Sequence, residues 1–252
     1  MSPRQSKPLV RIAAALFWLA VWTACACAVR QELLIPAPWV VARHLWSIVC
    51  SGTFARIVGA SFLRVLGGFV CGAAAGALLA ALCCAAEFPD ALIQPAMRVV
   101  RATPVTSFII LIMLWLPYTL VPVCVSALLV APVVFGNVRT GIRETDPALL
   151  EVAKVYRFSR WKRLRWVYAP SALPYFRSGA LTALGLAWKA GIAAEVLAQP
   201  KNAIGSSMFF SKLYLETADL FAWTVLVVVF SFLLEQLMQA ATKRRGERGP
   251  VS

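Results

Sequence analysis

The chain has 252 residues, of which 60% are hydrophobic and only 14% are charged, and its formal net charge is +14. This composition is typical of a polytopic membrane protein and argues against a soluble domain. The positive charge does not indicate nucleic-acid binding, because the Lys and Arg residues cluster at the ends of apolar runs. The seven cysteines show no metal-ligand spacing, so no cofactor is expected.

The apolar runs predict six membrane-spanning helices in a single transmembrane domain, residues 1–252. Residues 12–29 make the first span, which is retained because no good small-residue cleavage site is evident. Residues 57–86 make the second span. The outside segment between them contains residues 39–49, which are expected to form a short helix at the membrane interface.

The second span carries three glycines spaced four residues apart, Gly68, Gly72 and Gly76. Small residues at this spacing lie on one face of a helix and allow another helix to approach closely. We expect this face to pack within the helix bundle, and the pattern does not by itself predict a pore.

Residues 102–116 and 118–136 are expected to form spans three and four, after a cytoplasmic return at residues 87–101. A very short outer turn joins the two spans. The prolines expected to kink or interrupt these helices are Pro104, Pro122 and Pro132.

Residues 176–198 and 220–241 make spans five and six, with an outside loop at residues 199–219. In this arrangement the inside segments hold eighteen Lys and Arg residues and the outside segments hold five. Basic residues are retained in cytoplasmic loops, so both termini are expected in the cytoplasm. The predicted fold class is therefore an all-α membrane protein with six transmembrane helices.

The one long polar interval, residues 137–174, lies between spans four and five and is strongly basic, which predicts a cytoplasmic location. Its sequence predicts two capped helices. Asp146 is an N-cap residue followed by a proline, and Ser159 is an N-cap residue for a second, shorter helix. We expect Pro170 and Pro174 to end that second helix before span five.

The first of these two helices carries an apolar stripe at helical spacing: Leu149, Leu150, Ala153 and Tyr156. Two capped amphipathic helices at a membrane surface suit either of two roles. One is a docking surface for a cytoplasmic protein partner. The other is a basic segment that lies on anionic membrane lipid. The residues alone leave both roles open.

Three charged residues lie within predicted spans: Arg64, Lys189 and Glu195. Lys189 and Glu195 are separated by about 120° around their helix, so they are poorly placed to pair with each other. A charge at mid-membrane is costly, so each is expected to find a partner on another helix, on a second protomer or in a solute pathway. Either both charges stabilise the bundle, or Lys189 borders a pathway and favours anionic groups.

No phosphate-binding glycine loop and no catalytic arrangement of side chains is evident, so the chain is not predicted to be an enzyme. If ATP drives transport, a separate subunit must hold the ATPase. The alternative is a secondary transporter or channel that works without an ATPase. Such a protein would be expected to have an internal inverted repeat or an acidic proton relay, and neither is evident.

The basic interval resembles the EAA loop of ABC importer permeases in these residues: Glu151-Val152-Ala153, Ser159-Arg160-Trp161 and Pro170. Residues 61–69, 101–104 and 185–195 resemble the nitrate/sulfonate/taurine branch of the same family. The family usually has glycine where this chain has Arg157, and a small residue where it has Phe158. The turn between the two helices must therefore form without glycine's access to positive φ.

The resemblance implies the permease subunit of an ATP-driven importer in the bacterial inner membrane. It implies a permease homodimer, two ATP-binding cassette ATPase subunits, an extracytoplasmic solute-binding protein and alternating access. The solute would be a sulfonate-, nitrate- or taurine-like anion, or a molecule that resembles a vitamin precursor. The residues expected to dock on the ATPase are Leu149, Leu150, Glu151, Ala153, Tyr156, Ser159 and Trp161.

Overall fold

The computed structural model describes residues 6–246, and within that range every regular element is a helix. The predicted cytoplasmic ends at residues 1–5 and 247–252 lie outside the described residues. The first six helices are α1 (Ser6–Val29), α2 (Pro38–Val49), α3 (Phe54–Ala85), α4 (Glu87–Ala102), α5 (Val105–Met113) and α6 (Val121–Arg143). The remainder are α7 (Pro147–Val155), α8 (Arg160–Arg163), a π-helical turn (Leu164–Tyr168), α9 (Ala169–Ala198), α10 (Ile204–Leu213) and α11 (Thr217–Gly246).

Among the described residues, five helical segments are long and apolar enough to cross a membrane. They are Ile12–Val29, Phe54–Ala85, Val121–Arg143, Arg160–Ala198 and Thr217–Ala240. The helices α4 and α5 would make a sixth span if the bent pair is counted as one. The prediction of an all-helical, multi-span membrane protein is therefore confirmed.

The predicted third span, residues 102–116, is not a single helix. α4 fills the predicted cytoplasmic return and meets the nine-residue α5 at an angle of 102°. Thr103 is extended, with φ −76° and ψ 131°, because a residue before proline is disfavoured in the helical region. Pro104 has no amide hydrogen to continue the α4 ladder, so the chain turns there. The sequence indicated that Pro104 interrupts this span. It did not indicate that α4, before the proline, is longer than α5, after it.

The centre of the fold is a bundle of α3, α6 and α9, which pack along most of their lengths. The glycine face of α3 lies directly against α6. A Cβ atom added at Gly72 would lie 2.5 Å from the Ala127 carbonyl oxygen, and Gly68 and Gly76 meet α6 backbone equally closely. Trp188 of α9 is buried in the same core and donates its indole N–H to the Val227 carbonyl of α11 at 3.1 Å.

The expectation that prolines separate the second short helix from span five is wrong. The chain stays helical from α8 through a π turn into α9, giving one segment, Arg160–Ala198. Pro170 lies directly after the π turn, at the second position of α9, and Pro174 lies inside the helix. The π turn precedes the two prolines. In it the Ala169 amide bonds to the Leu164 carbonyl, so the backbone hydrogen bond spans one residue more than in an α-helix.

The two predicted outside segments contain helices that pack back onto the bundle. The interfacial helix expected at residues 39–49 is α2, which lies against α11. The loop expected at residues 199–219 contains α10, which packs against α9 and α11. α10 was missed because its ten residues are short and not strongly periodic.

Candidate functional site: the α7–α8 segment and the charges of the spans

The α7–α8 segment, residues 144–168, is built from the two helices that the sequence predicts. The Asp146 carboxylate accepts from the Ala148 amide at 2.8 Å and caps α7. The Ser159 hydroxyl accepts from the Lys162 amide at 3.3 Å and caps α8. Both N-caps are therefore confirmed, and they fix where each helix begins.

The turn between α7 and α8 adopts the left-handed conformation without glycine. Arg157 has φ 50°. Its amide donates to the Lys154 carbonyl at 3.0 Å, and the Phe158 amide donates to the Ala153 carbonyl at 2.9 Å. This pair of bonds is a Schellman motif, which usually has glycine at the left-handed position. The segment thus keeps the turn geometry of a glycine C-cap while carrying a cationic side chain there.

The expected docking residues divide into an exposed set and a supporting set. Tyr156 is 72% exposed and Trp161 is 68% exposed, and Leu149, Glu151 and Ser159 are also exposed. Ala153 is fully buried and Leu150 is partly buried, so these two residues face the rest of the chain. The structure adds Val152 and Val155, which the apolar stripe omitted and which are exposed on α7.

We name the exposed apolar residues of α7 the docking face: Leu149, Val152, Val155 and Tyr156. Exposed apolar side chains grouped on a polar segment usually mark a surface that a partner covers. The stripe predicted from helical spacing was therefore rotated around α7 relative to the exposed apolar face that the structure shows. Periodicity gives the width of an apolar face, but it does not say which edge of that face the rest of the chain covers.

At the other end of α9, Glu195 lies in a closed polar cluster with Ser61, Arg64 and Gly205, here called the Glu195 cluster. Glu195 is fully buried. One carboxylate oxygen accepts from Arg64 Nη1 at 2.9 Å. The other accepts from Ser61 Oγ at 2.8 Å and from the Gly205 amide at 3.2 Å. Every partner that the buried carboxylate needs is supplied by this chain.

The Glu195 cluster also fixes the loop that leads into α10. Arg64 donates to the carbonyl oxygens of Lys201 at 2.7 Å and Asn202 at 3.2 Å. The Ser61 hydroxyl accepts from the Ile204 amide at 2.9 Å, which satisfies a free amide at the start of α10. Arg64 and Glu195, expected separately as intramembrane charges, are thus brought together, and their role in the fold is to join α3, α9 and α10.

Lys189, by contrast, is exposed on the surface of the chain and does not join that cluster. It lines a cavity of about 360 Å³ between α9 and α11, together with Thr182, Gly185 and Glu235. In the described part of the chain, no carboxylate lies within ion-pair distance of Lys189. Glu235 was not singled out from the sequence, although it is an acid within an apolar run and that signal was available.

A second ion-pair group lies where α4 meets α6. Arg139 makes a two-pronged contact with Asp90, at 3.0 Å and 2.6 Å, and Arg143 reaches the same carboxylate at 3.1 Å. Tyr175 of α9 donates a hydrogen bond to the Glu144 carboxylate just after α6. These contacts tie the first turn of α4 and the start of α9 to the end of α6, next to the α7–α8 segment.

Residues 68–246 match the profile of a protein family described as the binding-protein-dependent transport system inner membrane component. The chain belongs to this family. The match covers the glycine face of α3, the α7–α8 segment, the Lys189 cavity and Glu195, but it begins after Ser61 and Arg64 of the Glu195 cluster. The resemblance to ABC importer permeases inferred from the sequence is confirmed.

Several permease proteins have similar sequences over most of the chain. The chain is 24% identical over 217 residues to a putative aliphatic sulfonates transport permease protein, SsuC, of Bacillus subtilis, covering 86% of this chain and 78% of SsuC. It is 27% identical over 243 residues to the riboflavin transport system permease protein RibX of Chloroflexus aurantiacus, covering 94% and 90%. The taurine transport system permease protein TauC of Escherichia coli is 23% identical, covering 88% and 83%.

Two solved transporters share the fold. An inward-facing structure of the MetNI methionine ABC transporter superposes with a TM-score of 0.58 at 16% identity, covering 83% of this chain and 97% of that chain. An amino acid ABC transporter gives 0.57 at 17% identity, covering 77% and 90%. The binding-protein-dependent permease described here is thus the membrane component of an ABC importer, and the alternative of a transporter without an ATPase is set aside.

Proposed function

We propose that this permease docks through the α7–α8 segment on an ATP-binding cassette ATPase held in a separate subunit. We also propose that it receives its solute from an extracytoplasmic binding protein, pairs with a second copy, and lies in the bacterial inner membrane. Both termini and the α7–α8 segment would face the cytoplasm. The observation that carries the proposal is the docking face, an exposed apolar surface on a helix capped at both ends.

Charge and position both support docking from the cytoplasm. The interval from Arg139 to Arg177 holds nine of the basic residues, which favours retention inside. A helix that lay on lipid would turn its exposed apolar side chains toward the bilayer, with basic residues flanking them. Here Glu151 lies beside Val152 on the exposed side of α7, and a carboxylate is unfavourable against anionic lipid. The protein-docking role is therefore favoured over the lipid-bound one.

The solute pathway is proposed to run past the Lys189 cavity. Lys189 lies near the middle of the predicted span at residues 176–198, and an exposed ammonium at that depth is costly unless water or another molecule reaches it. A pathway lined by this cation favours solutes with an anionic group. Sulfonate- and taurine-like anions, which the names of two relatives mention, fit this requirement. We therefore propose a small organic anion as the solute class.

The docking proposal is tested by placing a charge on the exposed face and comparing it with the supporting face. Val152→Asp would put a carboxylate into an apolar contact, which costs on the order of 2 kcal/mol or more. We expect the variant to fold and insert normally, but to co-purify with its ATPase roughly thirtyfold less well, as that free energy implies. Leu213→Asp, an equally exposed apolar position on α10, is the matched control and should retain the ATPase.

The proposal fails if Val152→Asp retains the ATPase at wild-type yield with normal stimulation of ATP hydrolysis by the solute-loaded binding protein. It fails equally if Leu213→Asp loses the ATPase to the same degree, because the effect would then not be specific to the α7–α8 segment. Thermal unfolding of each isolated variant separates loss of docking from loss of folding.

A further inference from the structure

A crevice between α4 and α6 is lined by arginines that the importer mechanism above does not use. Its volume is about 230 Å³, and its polar lining comprises Gln94, Arg98, Arg101, Arg139 and Thr140. On α4, Asp90, Gln94, Arg98 and Arg101 recur at intervals of three or four residues, so they share one helix face. That polar face points at α6 rather than away from the bundle, because Asp90 and Arg101 both contact α6.

The crevice is built around the Arg101 guanidinium. Arg101 donates through Nη2 to the Pro132 carbonyl of α6 at 2.5 Å. Gly136 leaves room for this placement of the guanidinium, since a Cβ atom at that position would lie 2.6 Å from Arg101 Nη2. Arg98, one helical turn away, donates to the Gln94 side-chain oxygen at 2.9 Å. Both guanidinium groups therefore have donors left over that face the crevice.

Positive charge exceeds negative charge in this region. Arg98, Arg101 and Arg139 line the crevice, and Arg143 shares the Asp90 carboxylate with Arg139. Within the described residues, the only carboxylate that any of these four arginines contacts is Asp90, which binds Arg139 and Arg143. Arg98 and Arg101 are thus paired only with an amide oxygen and a backbone carbonyl. This chain supplies a carboxylate for two of these four arginines, and Arg98 and Arg101, which are both exposed, are accessible to an anion from outside the chain.

We propose that the crevice binds an oxyanion of the phosphate or sulfonate type between Arg98 and Arg101. The planar guanidinium presents paired N–H donors that match two oxygens of such a group, and two adjacent guanidiniums neutralise its charge. The Gln94 amide and the Thr140 hydroxyl line the same space and supply neutral hydrogen bonds. The site is separate from the Lys189 cavity, which lies between α9 and α11.

The depth of the crevice leaves two sources for that oxyanion. Gly136 lies seven residues before the end of α6 at Arg143, so the site reaches about 10 Å in from that helix end. If this end faces the cytoplasm, as the proposed function holds, the site lies at the depth of an inner-leaflet phospholipid headgroup. It is also open to a free anion in the cytoplasm. The chemistry is shared, and the test below distinguishes the two sources.

The test uses the full-length permease, purified in a neutral detergent and freed of lipid. Its thermal midpoint is measured against increasing inorganic phosphate or sulfate, with chloride at equal ionic strength as reference. The second arm uses dihexanoyl phosphatidylglycerol, with dihexanoyl phosphatidylcholine as reference. We expect a saturable stabilisation in at least one arm. Because phosphate and sulfate also stabilise proteins non-specifically, the difference between wild type and Arg98→Gln is the measured quantity.

Arg98→Gln should weaken the apparent affinity by about tenfold or more, because it removes a charged donor from the bound oxyanion. Arg98→Lys should restore part of it, since the charge returns without the paired donors. Arg165→Gln, an exposed arginine on the π turn, is the matched control and should bind like wild type. Gly136→Ala should also weaken binding by displacing the Arg101 guanidinium.

A response to free phosphate or sulfate alone identifies a soluble anion as the ligand, and a response to phosphatidylglycerol alone identifies a lipid headgroup. The proposal is overturned if neither arm saturates, or if Arg98→Gln binds as tightly as wild type. These outcomes are separate from the fate of the importer proposal. Loss of ATPase docking with intact oxyanion binding would remove the proposed function and leave the site.

Discussion

The two ends of α9 lie in opposite kinds of environment. At the Glu195 cluster a charged side chain is fully buried, and the same chain supplies each of its partners. At the α7–α8 segment apolar side chains such as Tyr156 are largely exposed, and the described part of the chain leaves them uncovered. A buried charge with a complete set of partners serves the fold. An exposed apolar face on a well-capped helix suits the interaction with another molecule that we propose for the α7–α8 segment.

The largest expected effect comes from removing the buried charge of the Glu195 cluster. Glu195→Ala would leave the partly buried Arg64 guanidinium without its carboxylate, and breaking a buried pair costs up to about 3–5 kcal/mol. It would also free the Ser61 hydroxyl and the Gly205 amide. We expect a marked fall in the thermal midpoint of the purified permease and a loss of yield in membranes.

The double variant Arg64→Met/Glu195→Leu tests whether that loss arises from the unpaired charge. Replacing both members by apolar groups avoids a buried lone ion, so the double variant should be more stable than Glu195→Ala. If both are equally unstable, the cluster acts through the α10 loop carbonyls that Arg64 holds rather than through the ion pair.

The sequence indicated part of this contrast and missed part of it. The six-residue separation of Lys189 and Glu195 correctly predicted that they do not pair with each other. It did not predict that Arg64 is the partner of Glu195, because the register between α3 and α9 depends on packing. Close approach of Gly68, Gly72 and Gly76 to α6 sets the position of α3, and no pattern within α3 identifies α6 as its neighbour.

Sequence signals that act within one helical turn, such as N-caps, were more reliable than signals for whether a long helix continues or breaks. Asp146 and Ser159 lie at the N-caps that their residue types indicate, because a cap is decided within one turn of helix. The effect of proline was harder to predict. Pro104 separates two helices at 102°, whereas Pro170 and Pro174 are accommodated in a continuous segment. A π turn lies directly before Pro170, and such a local change of helix geometry is not visible in composition.

A smaller effect is expected at Lys189, which lies on the same helix as Glu195 but is exposed. Lys189→Met should leave the thermal midpoint and basal ATP hydrolysis of the complex close to wild type, because the ammonium makes no ion pair within the described residues. Transport of an anionic solute in reconstituted vesicles should fall about tenfold, the effect of losing roughly 1.4 kcal/mol of favourable interaction. Lys189→Arg should retain most of the transport.

Loss of assembly in Lys189→Met would instead place Lys189 with Glu195 among the groups that hold the complex together. Unchanged transport would remove it from the pathway. Glu235→Gln provides an internal comparison, since it removes the negative charge from the same cavity. If the cavity favours anions, this variant should transport an anionic solute at least as well as wild type.

The smallest expected effect is at Arg157, in the turn between α7 and α8. A residue with a Cβ atom in the left-handed conformation costs about 1 kcal/mol relative to glycine. Arg157→Gly should therefore stabilise the local turn by about that amount. Slower hydrogen exchange at the Arg157 and Phe158 amides, which make the two Schellman bonds, would report the change.

Arg157→Ala is the matched control, because it removes the charge but keeps the Cβ atom. If the backbone conformation carries the cost, Ala should leave the exchange rates near wild type and only Gly should slow them. Equal effects of Ala and Gly would instead attribute the cost to repulsion between Arg157 and its basic neighbours, such as Arg160. The same left-handed conformation, again without glycine, also ends α9 at Gln199 and α10 at Leu215. Arg157 carries its strain on the surface proposed to meet the ATPase. A glycine that stabilised the turn but weakened ATPase co-purification would therefore show that the arginine itself contributes to docking.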